Sequence, residues 1–241
     1  MIVTGIGQHG KMFDYMKVNA FYSIHGRTIP VATGITLSNP DLKVICFAGD
    51  GDAYAEGLDH AIFGAKRNVD ITVFVHDNRV YGLTTGQYTP TSPAGFRGRS
   101  TPAGSVELPL NPLELLLTSG ATFVARAYTQ KREQLKELMR QAIEHRGFSF
   151  VDILQICSSY YNMAGFYDAH VYDWDEKGAD DFMTAFMRAR EWDYNNPDAR
   201  IGLGVLYRKD APTFGDRYPP TEMLRPEERE AKVMEILSGR T

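Results

Sequence analysis

Only two cysteines, Cys46 and Cys157, occur in the 241 residues, which argues against a disulfide-stabilised extracellular scaffold. No stretch of apolar residues approaches the ~20 needed to span a bilayer. The formal net charge of −4 provides no basic surface for nucleic acid or an anionic membrane. Polar residues interrupt positions 1–20, so this segment does not read as a secretion signal. We therefore expect a cytoplasmic protein that binds neither nucleic acid nor membranes.

The composition that remains is that of an ordinary globular protein. Hydrophobic residues make up 43% of the chain and charged residues 23%. A chain of this length can bury a substantial core. Residues 2–7 read as an inner strand that enters a glycine-rich turn, with nothing ahead of it. Because domains rarely open on an inner strand, we expect N-terminal sequence to be missing.

Strand-like and helix-like segments alternate up to about residue 157. The strand-like segments are apolar throughout, which is typical of parallel strands covered by helices on both faces. The helix-like segments carry apolar residues at three- to four-residue spacing, and Thr129 is the expected N-cap of the second. The sequence thus predicts an α/β fold with a parallel sheet. The predicted strands are 43–48, 70–75, 123–125 and 148–156, and the predicted helices are 53–67 and a segment from Thr129 to 143.

Residues 82–111 are rich in glycine, proline and small polar residues, and they predict a long loop. Loops of this length inside compact domains are usually functional or disordered. We expect residues 1–165 to form the ligand-binding domain and residues 166–241 an extension that packs on it or on a partner subunit. The extension is predicted to contain an amphipathic helix at 182–189, a strand at 201–207 and a short final helix.

Polar residues follow two neighbouring strands of the predicted sheet. Gly49-Asp50-Gly51-Asp52 joins the first strand to a helix, and Asp77-Asn78 follows the second. Parallel strands present their carboxyl ends to one crevice, and a helix N-terminus there favours phosphate. The Asp50 carboxylate, the Asn78 amide oxygen and the Val80 carbonyl would supply three of the six oxygens that Mg²⁺ takes. The glycines would let a diphosphate approach the backbone. The pattern predicts a Mg²⁺–thiamine-diphosphate site.

At this point the sequence closely resembles the β subunit of 2-oxoacid:ferredoxin oxidoreductases, over about residues 2–160. The resemblance implies the thiamine-diphosphate-binding fold, with the metal held by Asp50, Asn78 and Val80. The matching segments are 49–52, 67–68, 77–78, 81–84, 86–87 and 90–92, with 25–27 and 30–34 upstream. The cofactor-binding residues it implies are Gly49, Asp50, Gly51, Asp52, Asn78, Val80, Gly82, Leu83 and Thr84.

The same resemblance implies a partner. In this family an α subunit supplies the other wall of the active site, including the glutamate that activates the cofactor, and γ or δ subunits are possible additions. The activity implied is oxidative decarboxylation of a 2-oxo acid, of the pyruvate or 2-oxoglutarate type, to an acyl-CoA, with ferredoxin as electron acceptor. Two further residues match family positions with a catalytic role: Lys11 near the substrate and His25 beside the thiazolium. The other histidines, His9 and His76 among them, show no metal-site spacing and are interpreted as structural or exposed.

The sequence departs from the family at the iron–sulfur ligands. A [4Fe–4S] cluster needs four thiolates, and the family takes two of them from an N-terminal Cys-x-x-Cys. That pair is absent, the third position is Gln8, and only Cys157 occupies a ligand position. Cys46 lies within a predicted strand and is interpreted as a buried apolar residue. We do not expect this chain alone to hold a cluster.

Two alternatives stay open because the cluster ligands are incomplete. The first is a non-redox thiamine-diphosphate-dependent 2-oxoacid decarboxylase subunit. The second is a non-catalytic subunit that binds only cofactor or partner.

Overall fold

A computed structural model of the chain describes residues 1–175, 177–218 and 224–239. Within these residues, no helix combines the length and the apolar character that crossing a bilayer requires. The strands are β1 Ile2–Thr4, β2 Ala20–Tyr22, β3 Ile45–Gly49, β4 Ile71–Asp77, β5 Phe123–Tyr128, β6 Phe148–Leu154, β7 Val171–Asp173 and β8 Ile201–Arg208. The α-helices are α1 Met12–Tyr15, α2 Thr28–Ser38, α3 Leu58–Arg67, α4 Pro112–Thr118, α5 Arg132–Glu144, α6 Ala164–His170, α7 Phe182–Ala189 and α8 Pro226–Ser238.

All eight strands form one sheet in the order β2-β1-β3-β4-β6-β5-β8-β7. The first six strands in this order are parallel to one another. β8 runs antiparallel to β5, and β7 runs parallel to β8. The α/β class and the parallel sheet are therefore confirmed for six strands, and the extension adds two strands of opposite direction. The boundary near residue 165 stays a prediction.

Helices cover both faces of the sheet, as the uniformly apolar strands predict. On one face, Val73 and Val75 of β4 pack in a core with residues of α2, α3, α4 and α7. On the other face, Phe74 packs in a second core with residues of α1 and α5. Neighbouring residues of one strand thus enter different cores, because successive side chains point to opposite faces.

The ends of α5 and the presence of α4 are among the differences from the sequence predictions. Thr129 is not the N-cap of α5, because its N–H still donates to the Leu154 carbonyl across the sheet at 3.1 Å. Lys131 takes the N-cap position instead. α4 was not predicted, although the sequence carries its start signal: Asn111 accepts a hydrogen bond from the Glu114 N–H, and Pro112 follows it.

Asn68 fastens three parts of the fold together where α3 ends. Its backbone is left-handed (φ 52°), and its side chain is buried. The amide nitrogen donates to the Ala211 and Pro212 carbonyls at 3.3 and 3.1 Å. The amide oxygen accepts from the Thr122 hydroxyl and the Phe148 N–H, both at 2.8 Å. A single side chain thereby joins α3, β6 and the segment after β8.

We predict that Asn68→Ala lowers the free energy of unfolding by about 2–4 kcal/mol, because buried polar partners lose their hydrogen bonds. Chemical denaturation measures this loss. Asn68→Gly is the matched control: it removes the same side chain but adopts positive φ without strain, so it should be the less damaging substitution. Equal stability of Asn68→Ala and the unchanged protein would contradict the role given to this side chain.

Candidate cofactor site at the tips of two strands

The register of β3 against β4 builds the candidate site. Gly49 pairs with His76 across these parallel strands, so the residues that follow each strand emerge side by side. All nine residues predicted to bind the cofactor line one cleft at this edge of the sheet, together with His25. The members of this set are Gly49, Asp50, Gly51, Asp52, Asn78, Val80, Gly82, Leu83 and Thr84. The structure brings together residues from three separate stretches of sequence.

Two buried carboxylates face one hydroxyl group at the base of the cleft. The Thr91 hydroxyl lies 3.2 Å from Asp50 Oδ2 and 2.8 Å from Asp77 Oδ1. One hydroxyl proton can serve only one of these oxygens at a time. Burial raises the pKa of Asp50 to about 7, and burial with the nearby carboxylates raises the pKa of Asp77 well above its ordinary value. The pair therefore requires a proton or a cation.

The donor atoms beside these carboxylates suit a hard divalent cation. Asn78 is buried, and its amide oxygen accepts a hydrogen bond from the Val80 N–H at 3.1 Å, which closes a tight turn. Arg79, between them, has a left-handed backbone (φ 60°). Carboxylate, amide and carbonyl oxygens are the ligands that Mg²⁺ prefers, so Asp50, Asn78 and Val80 fit such an ion. Asp77 Oδ2 has no hydrogen-bond partner in the described part of the chain, which is also consistent with a cation nearby.

Directly after β3 the chain enters a π-helical turn, Asp52–Glu56, before α3 begins at Leu58. The predicted helix at 53–67 is therefore two helical pieces. Gly51 has a steric reason to be glycine, because a Cβ there would lie 2.0 Å from the Tyr81 ring. The Tyr81 hydroxyl donates to Glu56 at 3.1 Å. Tyr81, which was not predicted to be a site residue, thus fixes the π turn against the loop after β4.

Asp52 lines the cleft, but its carboxylate is occupied by protein donors. Asp52 Oδ1 lies 2.8 Å from His25 Nδ1 and accepts from the Gly26 N–H at 2.7 Å. Asp52 Oδ2 accepts from the Thr28 hydroxyl at 3.3 Å. Burial alone would raise the pKa of Asp52, but the His9 imidazole and the Gly26 N–H hold it below its ordinary value. Asp52 therefore fixes the loop that carries His25 within the cleft.

The two predicted catalytic residues are not brought together in one cleft. His25 lines the cofactor cleft, and its ring lies edge-on to Tyr81 with centroids 6.1 Å apart. Lys11 lines a neighbouring cavity, and its ammonium pairs with Asp14 at 3.1 Å on an exposed surface. Lys11 therefore lines the neighbouring cavity and is not among the residues that line the cofactor cleft.

His9 and His76, interpreted from sequence as structural or exposed, both line the cleft and the neighbouring cavity. Their rings are nearly parallel, with centroids 6.5 Å apart. His76 Nδ1 lies 2.8 Å from the Gln155 side-chain oxygen, and burial lowers the pKa of His76 to about 4. His76 is therefore neutral at pH 7. The sequence did contain a signal for this location of His76, because His76 immediately precedes Asp77 at the end of β4.

The wall of the neighbouring cavity contains Gln8 and Cys157, the two positions that the resemblance assigns to cluster ligands. A Cβ on Gly82 would lie 3.7 Å from Gln8 Oε1 and 3.9 Å from Cys157 Sγ, so these residues flank one glycine. Cys46 is fully buried within β3, and burial strongly raises the pKa of its thiol. The described residues thus supply one thiol at this wall. That donor set does not fit a four-thiolate cluster.

Comparison with known proteins places this geometry in a family. The model of the C-terminal TPP-binding domain of thiamine pyrophosphate enzymes matches residues 5–153. The 2-oxoacid:ferredoxin oxidoreductase subunit beta of Sulfolobus sp. is 36% identical, with 98% of this chain and 84% of the relative covered. The chain belongs to this β-subunit family. Its predicted family and its thiamine-diphosphate-binding domain are thereby confirmed.

Other relatives agree with this assignment. Subunit beta of 2-oxoacid:ferredoxin oxidoreductase 1 from Aeropyrum pernix is 39% identical over 86% of this chain and 68% of its own length. The 2-oxoglutarate oxidoreductase subunit KorB of Mycobacterium tuberculosis is 45% identical over 65% of this chain and 42% of its own length. A solved 2-oxoglutarate:ferredoxin oxidoreductase from Magnetococcus marinus, with 2-oxoglutarate, coenzyme A and succinyl-CoA bound, superimposes with a TM-score of 0.84 and 34% identity. That match covers 98% of this chain and 77% of the other.

We predict that Asp52→Asn lowers the free energy of unfolding at pH 7 by about 1–3 kcal/mol, because buried donors lose a charged acceptor. The folded-state pKa of Asp52 lies below its ordinary value of 3.8, so its stabilisation is present above pH 3.8 and is lost as the pH falls through the folded-state pKa. The difference between the two proteins in urea denaturation should therefore shrink in acid. Asp59→Asn, at an exposed carboxylate, is the matched control. A difference that grows below pH 3.8 would contradict this assignment.

Proposed function

We propose that this chain is the cofactor-binding half of an enzyme that oxidatively decarboxylates a 2-oxo acid to an acyl-CoA and passes the electrons to ferredoxin. The single observation that supports this most is the buried oxygen-donor set at the tips of β3 and β4. Asp50, Asn78 and Val80 line one cleft there, in a domain of the thiamine-pyrophosphate family. In this proposal the three residues hold Mg²⁺, and the ion holds the diphosphate.

Thiamine diphosphate, when bound, supplies the nucleophile and the electron sink for decarboxylation. The residues of this chain position the cofactor and provide the charged groups that hold it. Gly82 leaves room for the diphosphate near the backbone, with Leu83 and Thr84 beside it, whereas the Cβ positions of Gly49 and Gly51 face the His9 and Tyr81 rings. Asp50, buried beside the Asp77 carboxylate with which it shares the Thr91 hydroxyl, gains a cation as its partner.

His25 is the proposed proton-handling residue on this side of the site. With its hydrogen on Nδ1, the imidazole donates a hydrogen bond to the Asp52 carboxylate, which leaves Nε2 to interact with a ligand. The imidazole is one-third exposed at its side chain, so it can reach a molecule in the cleft. Lys11 acts, in this proposal, at the neighbouring cavity, where its exposed ammonium can meet the carboxylate of a substrate.

The partner and the substrates follow from the relatives. Their name as β subunits supports an α subunit that completes the active site. The Magnetococcus marinus structure binds 2-oxoglutarate and coenzyme A, which supports a 2-oxo acid and CoA as substrates here. Ferredoxin as acceptor, γ or δ subunits and a cytoplasmic location belong to the same proposal.

One observation favours a second candidate, a non-redox 2-oxoacid decarboxylase. Cys157 is the single thiol at the wall where the family's cluster would lie, and Gln8 stands opposite it beside Gly82. If no other thiolates reach this wall, electrons have no carrier next to the cofactor.

The two functions separate in one experiment. The chain is co-purified with an α subunit of this family, loaded with Mg²⁺ and thiamine diphosphate, and assayed with a panel of 2-oxo acids. CoA-dependent reduction of ferredoxin or viologen supports the oxidoreductase. Release of CO₂ and an aldehyde without reduction supports the decarboxylase, and no turnover of any 2-oxo acid supports a non-catalytic subunit.

We predict that Asp50→Ala weakens Mg²⁺-dependent binding of thiamine diphosphate by at least about 100-fold, because the only carboxylate among the proposed ligands is lost. The fold should persist, since the substitution removes a buried charge. Isothermal titration calorimetry and a thermal melt measure the two effects, with Asp59→Ala as the exposed-carboxylate control. Unchanged affinity in Asp50→Ala would refute the metal assignment.

Metal binding should also depend on pH, because burial raises the pKa of Asp50 to about 7. Below that pH the carboxyl is protonated, and Mg²⁺ must displace the proton. We expect the Mg²⁺ affinity to fall by up to about tenfold per pH unit below pH 7 and to level off above it. Calorimetry between pH 5.5 and 8.5 measures this, and an affinity that is flat across the range would contradict it.

A further inference from the structure

Arg79 lies between the two proposed metal ligands of the loop after β4, and its environment is unusual. Its backbone is left-handed (φ 60°), a conformation that a non-glycine residue keeps only where its surroundings fix it. Its N–H donates to Asp77 Oδ1 at 3.0 Å, and its carbonyl accepts from the Ser92 hydroxyl at 2.6 Å. The hydrogen bond from the Val80 N–H to the Asn78 side chain spans it. The conformation of Arg79 therefore sets the geometry of both proposed ligands.

The Arg79 side chain is buried and reaches away from the cleft. Its Nε donates to the Thr91 carbonyl at 2.6 Å, and its Nη2 donates to the Tyr194 carbonyl. The guanidinium also lies 5.4 Å from the Trp192 ring centroid and 5.6 Å from that of Tyr194. Trp192 and Tyr194 belong to the segment between α7 and β8, in the C-terminal extension. Arg79 is thus a direct connection from the extension to the proposed metal loop.

The two aromatic residues are themselves held firmly. Their rings stack with centroids 4.1 Å apart, and Tyr194 also has a left-handed backbone (φ 67°). A second arginine, Arg126, lies 5.1 and 5.2 Å from the same two rings and donates to the Tyr194 hydroxyl at 3.0 Å. That hydroxyl donates to Asp152 in β6 at 2.7 Å. The segment that anchors Arg79 is therefore fixed to the central sheet.

We propose that Arg79 is a positioning residue, through which Trp192 and Tyr194 of the extension hold Asn78 and Val80 in the arrangement that binds the metal. The inference rests on the proposed function for the identity of the ligand. Lysine is a poor replacement for Arg79, because its single ammonium lacks the rigid planar fork with which the guanidinium donates to two separate carbonyls while it lies near the aromatic rings. Without these anchors the backbone relaxes towards negative φ, which turns the Val80 carbonyl and breaks the Asn78 turn.

The first test needs no metal. Hydrogen–deuterium exchange is measured on the full chain without metal, and peptides covering 77–84 and 190–199 are compared among variants. Arg79→Lys and Trp192→Leu should each speed exchange at least tenfold in 77–84, and Arg79→Lys should do the same in 190–199. Arg140→Lys, at an exposed arginine of α5, is the matched control and should change neither segment. If exchange in 77–84 is unchanged in Arg79→Lys, the proposed coupling between Arg79 and this loop is overturned. This result is sufficient even if Trp192→Leu does not fold.

The second test measures the Mg²⁺ concentration that half-saturates thiamine diphosphate binding, at a temperature where every variant is folded. Arg79→Lys should raise it at least tenfold. Arg79→Gly should do so as well, although glycine adopts this backbone freely, because the guanidinium is what anchors the loop. If Arg79 contributes only to stability, its variants will have a lower melting temperature but an unchanged half-saturating Mg²⁺ concentration. That outcome would overturn the proposal. If the unsubstituted protein binds no Mg²⁺, the proposed function fails, and the exchange experiment still decides the coupling.

Discussion

The pairing of two buried carboxylates across neighbouring strand tips is the constraint on which this structure depends. Asp50 and Asp77 share the Thr91 hydroxyl at the carboxyl edge of the sheet, and burial raises the pKa of both. Such an arrangement is costly unless a cation or a proton compensates it. The parallel register of β3 and β4 creates the pairing, and both carboxyl groups are buried. The ligand-binding chemistry is therefore a consequence of the fold, which concentrates negative charge at one point.

Local pattern was enough to predict which polar residues gather at the tips of β3 and β4, whereas the contacts that hold them in place needed the tertiary structure. Asp50 and Asn78 each follow an apolar strand directly, so their position at a shared edge could be inferred from the sequence. Thr91 lies within a long loop, and no periodicity indicates that its hydroxyl returns to Asp50. Asp52 was predicted to face the diphosphate, but its carboxylate holds the loop of His25, 27 residues earlier. Sequence reasoning thus predicts which groups line the cleft better than which groups hold them in place.

The same contrast applies to the fold. Uniformly apolar segments predicted the inner strands to within a few residues, because burial on both faces leaves a local signal. The direction of β8 left no such signal, since it depends on a partner strand far away in sequence. Thr129 illustrates the difficulty at the scale of one residue: its N–H remains in the sheet, and a hydroxyl that resembles a helix cap does not act as one.

The pairing of β8 with β5 has a consequence for biosynthesis. β5 ends at Tyr128, but the strand that covers its outer edge is complete only at Arg208. During translation the nascent polypeptide therefore carries an unprotected β edge until those later residues leave the ribosome. Such edges recruit other strands, so this interval is when aggregation and chaperone capture compete with correct folding. The closure of the sheet at β5 is accordingly a late event that joins segments distant in sequence.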